Sequence, residues 1–132
     1  MSHITKSSTQ FKCEESLKKA LESMKLELVK AVAGRKVSGR GYNGAKTEGD
    51  MVARLKGPYD VAFNRQPDQT LEAATDWYAG HVAAELGTDF SKLKQNYNEQ
   101  LFTKKAKLKG HFVSRTVRQD GSVKLTITGG KL

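Results

Sequence analysis

The chain reads as a single α+β domain, an antiparallel sheet with two helices packed on one face. Three observations predict this. Leu17, Ala20, Leu21 and Met24 stand at i, i+3, i+4 and i+7, one apolar stripe of a helix with Lys18, Lys19 and Glu22 outside it. Between that stripe and a second, broken helical face at 90–108 lie several short apolar runs separated by turn residues, the signature of strands. The chain closes on two alternating runs around Asp120-Gly121, a strong hairpin dipeptide.

The elements follow in order. "SHITKSST" alternates and is rich in β-branched and hydroxyl residues, which predicts a first strand. "LELVKAV" after the first helix predicts a second. A glycine-rich stretch, Gly34 to Thr47, comes next. "DMVARL" and "YDVAFN", parted by Lys56-Gly57-Pro58, predict an antiparallel pair. "QTLEAAT" fits either a further strand or the start of a helix. Asp89 is placed as the N-cap of a second long helix beginning at Phe90, with Phe90, Leu93, Tyr97, Leu101, Ala106 and Leu108 on its apolar face and Gly110 as its stop. Lys104, Lys105, Lys107 and Lys109 crowd its last turns, where they complement the carbonyl end of the helix dipole. This order suits an α+β fold of the ferredoxin-like kind. At 132 residues the chain has the length of one domain, 1–132, with 129–132 expected to fray.

Lysine and arginine exceed the acids by nine. The excess is uneven: residues 1–24 carry +1, 25–65 carry +5, 66–88 carry −4 and 89–132 carry +7. A field of that kind concentrates anionic partners without selecting among them. Cys13 is the only cysteine, so there is no intrachain disulfide or zinc quartet, and a reducing compartment is expected. No apolar run approaches a membrane span and the N-terminus lacks a signal-peptide core, so the expectation is a cytoplasmic protein with no membrane partner.

From Gly39 to Gly44 the chain spells G-x-G-x-x-G, and Gly39 to Thr47 misses a phosphate-binding loop by one inserted residue, Ala45. Both motifs need a helix leaving the loop, whose first N–H groups face the phosphate. Here Gly49 interrupts and the next apolar run is strand-like. Two readings stay open. One is a tight turn between strands, its glycines supplying positive φ. The other is a non-helical anion site in which backbone N–H groups and Arg35, Lys36, Arg40 and Lys46 meet a phosphate while Tyr42 stacks on a base.

The Lys104–Lys109 cluster, continued by Arg115 and Arg118, is either a solvated helix end or a surface that grips phosphates as point charges. Asp76, Trp77, Tyr78 and His81 form the densest group of polar-tipped aromatics, read as sheet packing or as a pocket wall with Trp77 and Tyr78 in contact with ligand. His3 and His111 are far apart in sequence and read as structural or exposed. Cys13 falls near the start of the first helix, which lowers a thiol pKa, and is read as inert. No carboxylate pair, metal spacing or nucleophile elbow argues for an enzyme, and no cofactor is expected.

"MSHITK", "SLKKAL", "RGYNG" (Arg40 to Gly44), "YDVAF", "TDWY", "QNY" ending at Tyr97 and "GSVKLTI", in this order, resemble the hypothetical chloroplast reading frame thirty-five family of plastids, cyanobacteria and scattered bacteria and phages. Asn98 and Glu99 depart from its pattern, as does the insertion "GHVAAELG". The resemblance implies the fold and leaves the activity open. The leading expectation is a non-enzymatic binding domain for a phosphate-bearing ligand, a nucleotide or nucleotide-derived signal that the protein sequesters, in a homo-oligomer. The alternatives are sequence-tolerant nucleic-acid binding through the basic C-terminal surface and a protein–protein adaptor.

Overall fold

A computed structural model of the chain describes residues 4–128; His3 and the tail expected to fray lie outside the described residues. The elements are β1 (Ile4–Ser8), α1 (Glu14–Ser23), β2 (Glu27–Lys30), β3 (Val37–Arg40), β4 (Lys46–Gly49), β5 (Met51–Arg54), β6 (Val61–Arg65), β7 (Leu71–Asp76), α2 (His81–Leu86), α3 (Ser91–Leu108), β8 (Phe112–Val117) and β9 (Val123–Thr128). Five strands form one sheet in the order β1-β7-β6-β5-β2, every neighbour antiparallel. The β1–α1–β2 unit therefore joins the two edges, and the meander β5–β6–β7 fills the space between them. "QTLEAAT" resolves to strand: Leu71 to Asp76 pair with β1 on one side and β6 on the other.

Period-two alternation sorts the sheet into two faces. Met51, Ala53, Val61, Phe63, Leu71 and Ala73 point into the main core with Leu17, Leu21, Leu93 and Tyr97 from the helices. Val52, Ala62 and Ala74 point the other way and form a second, smaller cluster with Val37. That far face carries the ribbon β3–β4, and small residues let it approach. A Cβ on Gly49 would stand 2.8 Å from the carbonyl oxygens of both Met51 and Phe63, and one on Gly39 would stand 3.3 Å from Asp60 Cβ and 3.4 Å from Val52 Cγ1. The domain thus has α+β architecture with helices on one face, as expected, and a short β-ribbon on the other.

The helix ends are locally encoded. Cys13 caps α1, its sulfur accepting the Ser16 N–H at 3.4 Å. At the end of α3 the His111 N–H reaches the Ala106 carbonyl and the Gly110 N–H the Lys107 carbonyl, with Gly110 at φ 75°, a Schellman stop. The start of α3 differs from expectation. Asp89 lies in a preceding 3₁₀ turn at φ 52°, and Phe90, at φ 62°, occupies the cap position without a side-chain cap bond. Burial of the Phe90 ring against Trp77, centroids 4.8 Å apart, takes precedence over capping chemistry there. Leu108 also departs from its expected place, being 78% exposed, since the helix runs beyond the body before it stops. In the closing hairpin, Gly121 has φ 85° and its N–H meets the Arg118 carbonyl, while the Arg118 N–H meets the Ser122 carbonyl. The loop is therefore three residues long and needs positive φ at Gly121 alone.

Candidate functional site

The glycine-rich stretch is a turn between antiparallel strands: Arg40 pairs with Lys46 and Gly39 with Thr47 across the ribbon, and a strand, not a helix, follows Gly44. Asn43 at φ 53° and Gly44 at φ 79° make the reversal. The Gly41 N–H closes it on the Ala45 carbonyl at 2.7 Å. Beside the turn lies an open cavity of about 300 Å³, lined by Ser38 to Gly41, Gly44 to Lys46 and Pro58.

Arg40 is the pivot of this region. Its Nε and Nη2 grip Asp60 Oδ2 and Oδ1, each at 2.9 Å, and Nη2 also donates to the carbonyls of Leu55 and Gly57. Asp60 is fully buried, accepts the Arg40 and Leu55 backbone N–H groups, and takes a second guanidinium from Arg54 at 3.1 Å. Burial pushes the Asp60 pKa up, but hydrogen bonds from the Arg40 side chain and from the Arg40 and Leu55 N–H groups, with the Arg40 charge, hold it below the ordinary carboxylate value. Arg40 in turn is held above its ordinary value, chiefly by that hydrogen bond. One edge of the Arg40 fork therefore fastens the ribbon to the sheet. Half of the side chain is nevertheless solvent-exposed.

A second buried carboxylate, Asp76, holds the aromatic neighbourhood. Its two oxygens accept the Tyr42 and Tyr78 N–H groups, both at 2.9 Å, tying the turn after β3 to the turn after β7. The two rings meet with centroids 4.5 Å apart. Tyr59 stands edge-on to His81 at 5.2 Å, its pKa raised by burial and then by the Asp76 charge. Here two segments 34 residues apart in sequence are brought together by one side chain.

The remaining expected residues part company. Lys46 lines the cavity. Lys36 bonds Asp50 at 2.7 Å and Asn64 at 2.9 Å, on a different part of the ribbon. Arg35 sits in the β2–β3 turn, its N–H on the Val32 carbonyl, and is exposed. Trp77 packs on Phe90 and lines a separate small cavity with Ser7 to Thr9 and Lys94, so the structure does not bring it to the glycine turn. Asp60 was the residue that motif reading passed over. Its signal was available: a charged residue inside the apolar run "YDVAF" must find partners if that run is buried. In the C-terminal basic cluster, Lys104 pairs with Glu15 at 3.2 Å and Arg115 with Glu99.

Among the described residues no group of three or more His, Cys, Asp or Glu side chains is placed to hold a metal ion, and no helix is long and apolar enough to cross a membrane. No curated protein and no solved structure matches the chain. The match is to a sequence family: residues 20–126, which span both buried carboxylates, the glycine turn, the end of α1, all of α3 and most of the closing hairpin, fit the family described as protein of unknown function DUF1257, and the chain belongs to it.

Proposed function

We propose that the protein is a non-enzymatic binding domain for a phosphate-bearing small molecule, a nucleotide or nucleotide-derived signal, taken up at the cavity beside the β3–β4 turn. The observation that carries this reading is the charge balance at Asp60. Two guanidiniums share one carboxylate, so the cluster keeps a net positive charge beside the cavity. Arg40 holds its orientation there without waiting for a ligand. A prearranged cation loses less entropy on binding an anion than a flexible one. Lys46 on the opposite strand adds a second cation, and the exposed Tyr78 ring, tilted against Tyr42, offers an aromatic face nearby.

A cavity this open gains walls by pairing, so the same proposal includes a homo-oligomer, working in the cytoplasm. Within the family, the resemblance of the quoted motifs supports the further reading that the chain is related to the hypothetical chloroplast reading frame thirty-five proteins.

Calorimetric titration with mono-, di- and cyclic nucleotides tests the reading. Lys46→Ala is the informative variant because Lys46 is exposed on the ribbon, and its loss should weaken binding by about 1–2 kcal/mol. Absence of binding by every nucleotide, or binding indifferent to Lys46→Ala, would overturn it. Binding of a short single strand with a steep salt slope that Lys46→Ala leaves intact would replace it with the nucleic-acid reading.

A further inference from the structure

Cys13 lies at the junction of α1 and α3. Its sulfur, half-buried, faces two donors from two elements. The Ser16 N–H lies at 3.4 Å, and Lys104 Nζ, reaching over from α3, also at 3.4 Å. The Ser16 hydroxyl belongs to the same first turn of α1. That hydroxyl is buried and makes no well-formed hydrogen bond within the chain, an arrangement that costs stability unless an acceptor arrives. Lys104 is also a wall of a cavity of about 390 Å³ between the two helices, lined by Glu15, Lys19, Lys104 and Lys107 among others. Cys13 is itself only partly covered, so a small polar reagent can reach the thiol.

We propose that Cys13 is a modification site, oxidised by hydrogen peroxide or a small alkyl hydroperoxide to a sulfenic acid that Lys104 and the Ser16 hydroxyl hold. In this step the thiolate attacks one peroxide oxygen, an S–O bond forms and the O–O bond breaks. The leaving hydroxide or alkoxide takes a proton from the Lys104 ammonium and departs as water or alcohol. The sulfur is oxidised by two electrons and the peroxide reduced by the same two. The oxygen gained by the sulfur supplies the acceptor that the Ser16 hydroxyl lacks.

Electrostatics act in the same direction. Burial raises the Cys13 pKa, while the Ser16 hydroxyl and N–H and then the Lys104 hydrogen bond and charge lower it, and the lowering prevails. The charged groups around the thiol are Lys104 from α3, Glu14 and Glu15 in the first turn of α1, and Lys19 and Lys107 on the cavity wall. Glu15 is held by Lys19 and Lys104. The Tyr97 hydroxyl accepts the Lys12 and Cys13 N–H groups, which fixes the cysteine backbone. A thiolate at a helix N-terminus beside a lysine reacts faster than a free thiol at neutral pH. The reading of Cys13 as inert rested on its position alone, before Lys104 could be placed beside it.

The test compares the folded chain with the same chain in urea, and with the variants Cys13→Ser, Lys104→Met and Ser16→Ala. Reduced protein is treated with hydrogen peroxide, trapped with dimedone and weighed intact, and the rate of iodoacetamide alkylation is followed against pH. The expected results are one dimedone adduct in the folded parent, none in Cys13→Ser, and faster alkylation at neutral pH folded than unfolded. Lys104→Met should move the pH midpoint upward and slow alkylation at neutral pH by about three- to tenfold, the gain in thiolate nucleophilicity offsetting part of the lost ionisation. Ser16→Ala should shorten the lifetime of the sulfenic acid. Failure of the folded parent to form the adduct, alkylation no faster folded than unfolded, or a pH profile unmoved by Lys104→Met would overturn the proposal.

Discussion

The β5–β6–β7 meander and the β8–β9 hairpin are both antiparallel strands joined at turn signals, and they have opposite fates. In the meander Val52, Val61, Phe63, Leu71 and Ala73 are wholly buried. In the hairpin Val117 is 56% and Ile127 45% exposed, and the two strands form a sheet of their own. The meander is covered by helices on one face and a ribbon on the other, whereas the hairpin packs on α3 and is fastened to it by the Arg115–Glu99 pair. Alternation writes a strand; the number of layers around it decides how much that strand stabilises the protein. A two-stranded hairpin without a second layer is marginal in water.

The variants that sharpen this contrast run from the body outward. Asp60→Ala is expected to cost the most, about 3–5 kcal/mol, because it removes at once the buried acceptor of five hydrogen bonds, three from two guanidiniums and two from backbone N–H groups. Denaturant unfolding checks it, and a loss below about 1 kcal/mol would show that Arg40 and Arg54 rehydrate freely. The pH dependence carries a definite sign. With the Asp60 pKa depressed by folding, its contribution is fully present above the unfolded value of about 3.9 and is lost as pH falls through the lower folded value. The parent should therefore lose more stability than Asp60→Ala on acidification below about pH 4. Parallel pH profiles for the two proteins would contradict that.

Gly49→Ala comes next, at about 2–3 kcal/mol. Its Cβ would press on backbone of both β5 and β6, atoms that cannot rotate away. A thermal midpoint unchanged by this substitution would mean that the ribbon does not lie close on the sheet.

Gly121→Val, at the positive-φ position of the hairpin loop, should cost about 1–2 kcal/mol locally. Because the hairpin contributes little burial, amide exchange should lose protection in β8 and β9 while α1 and the meander keep theirs. Equal loss of protection throughout would show that hairpin and body unfold as one unit and would dissolve the comparison. Asp120→Pro should behave in the same way, since proline at that loop position disturbs the residue before it. The smallest effect is expected from Arg115→Ala, about 0.5–1 kcal/mol for a half-exposed ion pair, seen as faster exchange in β8 and little else. A loss of several kcal/mol would make the pair a main attachment of the hairpin.

Much of this architecture was legible in the residues. The stripe Leu17, Ala20, Leu21 is the buried face of α1, Gly110 stops α3 and Gly121 turns the hairpin, because helix periodicity and positive φ are local properties of a few adjacent residues. Asp89 shows where such reasoning fails. Its capping signal is sound by type, but Phe90 gains more from the core than the helix gains from an aspartate cap, so the chain begins α3 one residue later.

The candidate site was legible only in part. The sequence by itself determined that Gly34 to Thr47 is glycine-rich with no helix leaving it, that this stretch carries Arg40, Tyr42 and Lys46, and that an acid stands inside "YDVAF". Only the tertiary structure decided that Arg40 spends half its fork on Asp60, that Asp76 joins the Tyr42 and Tyr78 segments, that Trp77 packs on Phe90, and that Lys104 reaches Cys13 from 91 residues away. The physical reason is range. Turn conformation and apolar periodicity arise within a few residues, whereas a buried charge takes whichever opposite charge or N–H the packing delivers, and packing is set by how helices and ribbon seat on the two faces of the sheet.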